Sequence, residues 1–120
     1  MTYQHLEAVC ARYGGNIEAQ APDQNIIRNA LGVLREDGVF AFYLFLQYRK
    51  GQGGGVIWNG ILQLWQDDAV GPLLPKDIKD AKRERQEVIA LTNDLQALLL
   101  AREVAERTLV YALYGLRAKG

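Results

Sequence analysis

Apolar residues recur every three or four positions along most of the chain, which is the spacing of one face of an α-helix. The clearest stripe follows Asp23, a residue type that caps helices, and it ends at Asp37-Gly38, where glycine can take the left-handed conformation that terminates a helix. Its apolar members are Ile26, Ile27, Ala30, Leu31 and Leu34. A first helix, capped by Thr2, is predicted before this one, with an interruption at Gly14-Gly15.

The segment from Val39 to Leu46 is apolar throughout, so its periodicity alone does not separate a buried helix from a buried strand. Its aromatic residues favour a strand, whereas its length up to Lys50 and its lack of further β-branched residues favour a helix, which is our interpretation. Four glycines among residues 51–55 predict a flexible connector. A phosphate-binding loop is excluded because Val56 follows where that motif requires Gly-Lys-Ser/Thr.

Two further helical regions follow the glycine segment. Residues 56–65 predict a fourth helix in which Gly60 allows close packing. From Lys76 the chain is charged and helical, and a break near Leu91–Asn93, with Thr92 as a cap, is preferred because an unbroken helix would be about 60 Å long. These patterns predict an all-α fold, a compact bundle of five or six helices that forms one domain over residues 1–120.

The composition restricts the possible classes of function. A single cysteine excludes an intramolecular disulfide and a cysteine-based metal cluster, and it suits a reducing cytoplasm. A single histidine removes most zinc and triad chemistry, so we predict a protein that is not an enzyme and has no cofactor, metal or small-molecule substrate. The longest apolar run is far shorter than the ~20 residues that span a bilayer, which predicts a cytoplasmic protein without membrane contact.

The charges balance in number but not in position. Fourteen Lys+Arg oppose fourteen Asp+Glu, and a net charge of zero argues against a strongly basic nucleic-acid-binding protein. On a helical wheel of residues 76–88, the acidic side chains share one arc and the basic side chains share another, formed by Lys76, Lys79, Lys82 and Arg83. This basic stripe is either a solvated helix face or a sequence-independent contact to a phosphate backbone.

Aromatic and basic residues flank the glycine segment. Tyr48, Trp58 and Trp65 lie near it, and Arg49 and Lys50 come directly before it. The aromatic residues are typical of a core, although stacking on single-stranded bases is the alternative. Arg49 and Lys50 are candidate RNA contacts, or they only complement the negative end of a helix dipole.

The last predicted helix has a continuous apolar stripe, which comprises Leu95, Leu98, Leu99, Ala105, Leu109, Ala112, Leu113 and Leu116. Arg102 and Glu106 fall inside it, either as an ion pair between adjacent turns or as a pair that a partner subunit desolvates. Tyr111 and Tyr114 make the opposite side apolar as well, so this helix is either central in its own bundle or shared with another protein. These four residues form the candidate protein interface.

One spacing resembles a known family. Gly38-Val39, then Phe45, then Arg49 is similar to the glycine turn, aliphatic-aromatic helix and basic residue of the Cmr-type small helical subunit of type III CRISPR effector complexes. Ile26 to Leu34 resembles the helix that leads into that turn.

The C-terminal part extends the resemblance. Arg102-Glu103, an aliphatic run, then Tyr114 and Arg117 are similar to the end of family members, which tend to carry an aromatic and a basic residue there. The similarity covers roughly residues 20–50 and 92–118.

The resemblance implies a non-catalytic subunit that stacks along the crRNA–target RNA duplex and contacts both the backbone subunits of the complex and further copies of itself. Arg49 and Arg117 match the family's basic positions and would contact the RNA backbone. The alternative is a helical adaptor that binds protein and has no nucleic-acid contact. The full set of candidate RNA-binding residues is Arg49, Lys50, Lys76, Lys79, Lys82, Arg83 and Arg117.

Overall fold

The computed structural model describes residues 3–71 and 84–119, and within these two ranges it contains α-helices and no strand. The helices are α1 (Tyr3–Ala19), α2 (Gln24–Asp37), α3 (Val39–Tyr48), α4 (Gly54–Trp65), α5 (Glu84–Thr92) and α6 (Leu95–Lys119). The all-α prediction is therefore confirmed, with six helices in the described part of the chain. The predicted cap Thr2 lies outside the described residues.

Helix α2 begins and ends where the sequence predicts. The Asp23 side chain accepts a hydrogen bond from the Asn25 backbone N–H at 2.7 Å, which satisfies one of the free donors at the helix start. Gly38 has a φ of +95°, a conformation that costs glycine little, and it turns the chain directly into α3. The ambiguous apolar segment is thus a helix, as we interpreted it.

The predicted interruption of the first helix at Gly14-Gly15 is wrong, because α1 continues through both glycines. Gly14 instead marks a close approach between two helices. A Cβ atom on it would lie 2.9 Å from the Thr108 carbonyl oxygen and 3.0 Å from the Tyr111 Cβ. The same change at Gly15 would meet no atom within 4 Å, so only the first glycine is required for packing.

The predicted flexible connector over residues 51–55 is a tight turn instead. Residues Lys50–Gln52 form one turn of 3₁₀ helix, Gly53 has a φ of +111°, and α4 begins at Gly54. A Cβ on Gly54 would lie 2.7 Å from the Arg49 carbonyl oxygen, so the glycines allow the backbone of α4 to pack against the end of α3.

The predicted break between the last two helices is confirmed, but Thr92 does not cap α6. Its hydroxyl donates to the Ile89 carbonyl oxygen at 2.6 Å, within α5. Asp94 performs the capping, since its carboxylate accepts from the Ala97 backbone N–H at 3.1 Å. The start of α6 is therefore set two residues later than predicted.

Helices α1 and α6 form the largest contact and run parallel, since their contacts advance in the same direction along both helices. The contacting positions are Cys10 with Val104, Gly14 with Thr108 and Glu18 with Lys119. Helix α4 runs antiparallel to α1, with Ile17 packed against Gly60 as the predicted close packing requires. The last turns of α1 and α6 and the first turn of α4 therefore lie at the same end of the bundle.

Candidate nucleic-acid interface

The last turn of α3 presents an exposed tyrosine beside two cations. Tyr48 is 77% exposed, and the Arg49 guanidinium carbon lies 5.3 Å from the centre of its ring and 6.0 Å from that of Phe45. The Arg49 Nη1 donates to the Gln52 Oε1 at 2.7 Å, while Lys50 is exposed. Both cations directly follow the C-terminus of α3, which is the negative end of the helix dipole.

Arg49 has an unused donor. Its Nε is buried and has no hydrogen-bond partner in the described structure. An unpartnered buried N–H of this kind costs about 1–3 kcal/mol. An anionic oxygen that drew the guanidinium outward would satisfy this N–H and form a charge-assisted hydrogen bond, which is the chemistry of phosphate contact.

The last turns of α6 repeat the arrangement. Tyr114 is 62% exposed, and the Arg117 guanidinium carbon lies 5.8 Å from its ring centre. Arg117 is itself exposed, and Lys119 Nζ forms an ion pair with the Glu18 carboxylate at 2.8 Å. This second tyrosine–arginine pair also stands at a helix C-terminus, where cations are favoured.

The loop between α1 and α2 places both pairs at the same end of the bundle. Glu18 contacts Lys119 at the end of α6, and Pro22 lies 3.8 Å from where a Cβ on Gly53 would stand, beside the end of α3. Glu18 and Pro22 are four positions apart, and this stretch of chain spans at most about 14 Å. We call this surface the basic end; it comprises Tyr48, Arg49, Lys50, Tyr114, Arg117 and Lys119.

The carboxylates near the basic end are already engaged. Glu18 is paired with Lys119, and Asp23 accepts the backbone N–H of Asn25. These contacts leave Arg49, Lys50 and Arg117 as cations that form no ion pair within the described residues. The four cations of the basic end outnumber these two carboxylates, so the local charge is positive although the whole chain has no net charge.

The structure thus unites three of the seven predicted RNA contacts, Arg49, Lys50 and Arg117. The other four, the basic stripe of Lys76, Lys79, Lys82 and Arg83, lie outside the described residues. Lys119 was missed, and its position in the last helical turn is the signal that would have found it. Tyr114 stands with the RNA-contact candidates, although the sequence assigned it to a protein interface.

The remaining predicted interface residues contact α2 or α1. Arg102 Nη2 donates to the Arg35 carbonyl oxygen at 2.7 Å, and the Glu106 carboxylate accepts from Arg35 Nε at 2.6 Å. Both side chains therefore hold the end of α2 against α6. Tyr111 is half-buried, and its burial, with the nearby Glu7 carboxylate, raises the pKa of its hydroxyl. The role of Arg102, Glu106 and Tyr111 in subunit contacts stays a prediction.

The alternative that Trp58 and Trp65 stack on bases is wrong, because the two side chains are 4% and 1% exposed. They meet edge to face with ring centres 5.5 Å apart. The Trp58 indole N–H donates to Glu84, and that of Trp65 donates to the Ala101 carbonyl oxygen at 3.2 Å. Of the three aromatic residues considered for stacking, only Tyr48 is accessible.

Asp67, which follows α4, has a structural role in this fold. The Asp67 carboxylate accepts the Tyr13 hydroxyl at 2.8 Å and forms an ion pair with Arg12, which ties α1 to the end of α4. Burial, followed by the hydrogen bond to Asp67, raises the pKa of Tyr13. Among the described residues no three His, Cys, Asp or Glu side chains are grouped so as to hold a metal ion.

Comparisons with protein-family models, with curated proteins and with solved structures find no match to this chain. Within the described ranges, no helix has the length and apolar character needed to cross a membrane.

Proposed function

We propose that this chain is a non-catalytic RNA-contacting subunit of a type III CRISPR ribonucleoprotein, which binds RNA through the basic end and protein neighbours through other faces. The observation that carries the proposal is the position of Arg49 and Arg117. These are the two basic residues of the family resemblance, they are far apart in the sequence, and both stand beside an exposed tyrosine at one end of the bundle.

The chemistry of the basic end suits phosphate better than a small molecule. Five of its six side chains are exposed at helix ends, whereas small-molecule sites are concave and mostly apolar. Arginine and lysine contact phosphate oxygens without reading base identity, so the contact would be independent of sequence. Each single-stranded phosphate contact contributes about 0.7 to the slope of log affinity against log salt, so three or four cations give a weak, salt-sensitive site.

Weak binding by one copy is compatible with a role in an assembly. A net charge of zero disfavours strong RNA binding by the free chain. Several copies held along one RNA add their contacts, because each later contact forms at a high effective concentration. The proposal therefore assigns RNA affinity to the assembled complex.

The test is to purify the full chain with its native partners and to measure the RNA that remains bound as salt is raised from about 50 mM to about 200 mM. Arg49→Gln and Arg117→Gln should each release RNA at lower salt than the wild type. Arg107→Gln is the matched control, because it removes one charge from α6 about 15 Å before Arg117, where the arginine is paired with Glu103 one turn away.

An assembly that contains no RNA, or equal RNA loss from Arg107→Gln, would contradict the proposal. The second candidate is an adaptor that binds protein only, and exposed apolar side chains on α5 and at the start of α6 favour it. These are Ile89 on α5, and Leu95 and Leu99 on α6. The adaptor predicts that the native assembly has the ultraviolet absorbance of pure protein.

A further inference from the structure

We infer that the basic end binds unpaired nucleotides, with Tyr48 and Tyr114 as platforms on which bases of a single strand stack. This inference rests on the proposed RNA contact, but it assigns an unpaired strand to the site where the family resemblance implies a duplex. It also moves Tyr114 from the predicted protein interface to the nucleic-acid surface.

Exposure of the two tyrosines is the first observation. The other large aromatic side chains near α3 and α4 are packed in the core, including Trp58, Trp65, Phe42 and Tyr43. Tyr48 and Tyr114 are instead 77% and 62% exposed, so packing does not explain why these positions are aromatic. An exposed aromatic ring offers a flat surface on which any base can stack.

The second observation is that each ring has an arginine over it. The guanidinium–ring distances are 5.3 Å for Arg49 with Tyr48 and 5.8 Å for Arg117 with Tyr114. Each arginine lies beside its ring, so a base that stacked on the free face of the ring would have a cation within reach of its phosphate. A ring with an adjacent cation is the combination that binds single strands without sequence preference.

An RNA duplex would contact the cations of the basic end but not its tyrosine rings. In paired RNA the bases stack on one another, and proteins contact it through phosphates and 2′-hydroxyls. Lys50, Arg49 and Arg117 would serve such a contact, but the two tyrosine rings would have no base to cover. The pairing of ring with cation at both helix ends therefore favours unpaired nucleotides.

The geometry also favours one strand that reaches both platforms. The end of α3 and the end of α6 both adjoin the loop between Glu18 and Pro22, so both platforms lie at the same end of the bundle. Single-strand sites commonly hold about 4–16 nucleotides, and one strand of that length can contact both helix ends.

The test uses the full chain at low salt, where the weak contacts of a single copy are strongest. The probe is an RNA of about 12 nucleotides that carries a fluorescent base analogue, either single-stranded or annealed to its complement. The single strand should bind more tightly than the duplex, and its fluorescence should be quenched by stacking. Tyr48→Ala and Tyr114→Ala should each weaken binding by about 5-fold to about 150-fold, the range for loss of one stacked base.

Tyr48→Phe and Tyr114→Phe are the matched controls, since they keep the ring and should retain most of the affinity. Because both side chains are exposed, far-ultraviolet circular dichroism of the alanine variants should match the wild type. Equal affinity for single strand and duplex, or alanine variants that bind as well as the wild type, would overturn the inference.

The outcomes separate the inference from the proposed function. If Arg49→Gln and Arg117→Gln release RNA while the tyrosine variants do not, the RNA contact stands and stacking is refuted. If the alanine variants keep RNA but lose protein partners, Tyr114 belongs to a protein interface and the inference fails. If no form of RNA binds to the chain or to its assembly, both are refuted.

Discussion

The two adjacent glycines in α1 allow a direct test of how α1 packs on α6. Substituting alanine at either position adds one methyl group to the same helix, but the surroundings differ. At Gly14 the new Cβ would stand 2.9 Å from the Thr108 carbonyl oxygen and 3.4 Å from the Ala112 backbone nitrogen. These are backbone atoms of α6 and cannot rotate away. At Gly15 the methyl group would meet no atom within 4 Å.

The expected magnitudes follow from two opposing terms. Replacing glycine by alanine inside a helix stabilises a protein by about 0.5–1 kcal/mol, because the unfolded chain loses less entropy on folding. Overpacking a tight interface costs about 1–3 kcal/mol. Gly15→Ala should therefore raise the free energy of unfolding, whereas Gly14→Ala should be less stable than Gly15→Ala by about 1–3 kcal/mol, or roughly 4–12 °C in Tm.

Urea and thermal unfolding of the two variants, followed by circular dichroism, measure this difference. Both variants should keep the wild-type helix content, because α1 is continuous through the glycines. If Gly14→Ala is as stable as Gly15→Ala, the close contact with α6 is refuted. A gain in helix content in both variants would instead support the interruption that the sequence alone suggested.

Two further predictions concern the cap of α6 and the alkaline limit of stability. Asp94→Ala should lower the free energy of unfolding by about 1 kcal/mol, and by more than Thr92→Ala, because the Asp94 carboxylate holds the Ala97 N–H; equal losses in urea unfolding would refute this. Burial, then the nearby Glu84 carboxylate, raises the pKa of Tyr43 above 10.0. The folded state keeps that proton longer, so stability should fall above about pH 10, and Tyr43→Phe should reduce the fall in urea titrations.

Local sequence signals predicted most of the helices. Asp23 and Gly38 delimit α2 through backbone chemistry that involves only neighbouring residues, and the apolar stripe between them becomes buried. The same holds for the break before α6. The cap of α6 was assigned two residues too early, although Thr92 and Asp94 are both residue types that cap helices. Thr92 bonds back to Ile89 in α5, whereas Asp94 accepts the Ala97 N–H in α6.

The sequence does not show which structural role each glycine has. Conformational freedom alone predicts an interruption at Gly14 and a flexible connector after Lys50. In the structure Gly14 and Gly54 allow two backbones to approach, and the atoms that they approach belong to residues distant in the sequence or to the preceding helix. Only the packing of the helices shows whether a glycine interrupts a helix or allows two backbones to approach closely.

The sequence by itself determined that this protein is helical and where its helices turn, because periodicity and capping depend on residues a few positions apart. The tertiary structure decided which side chains are available for binding. It buried Trp58 and Trp65, left Tyr48 exposed, and brought Arg49 to the same end as Arg117. That juxtaposition depends on the parallel packing of α1 with α6, which the spacing of residues within one helix does not specify.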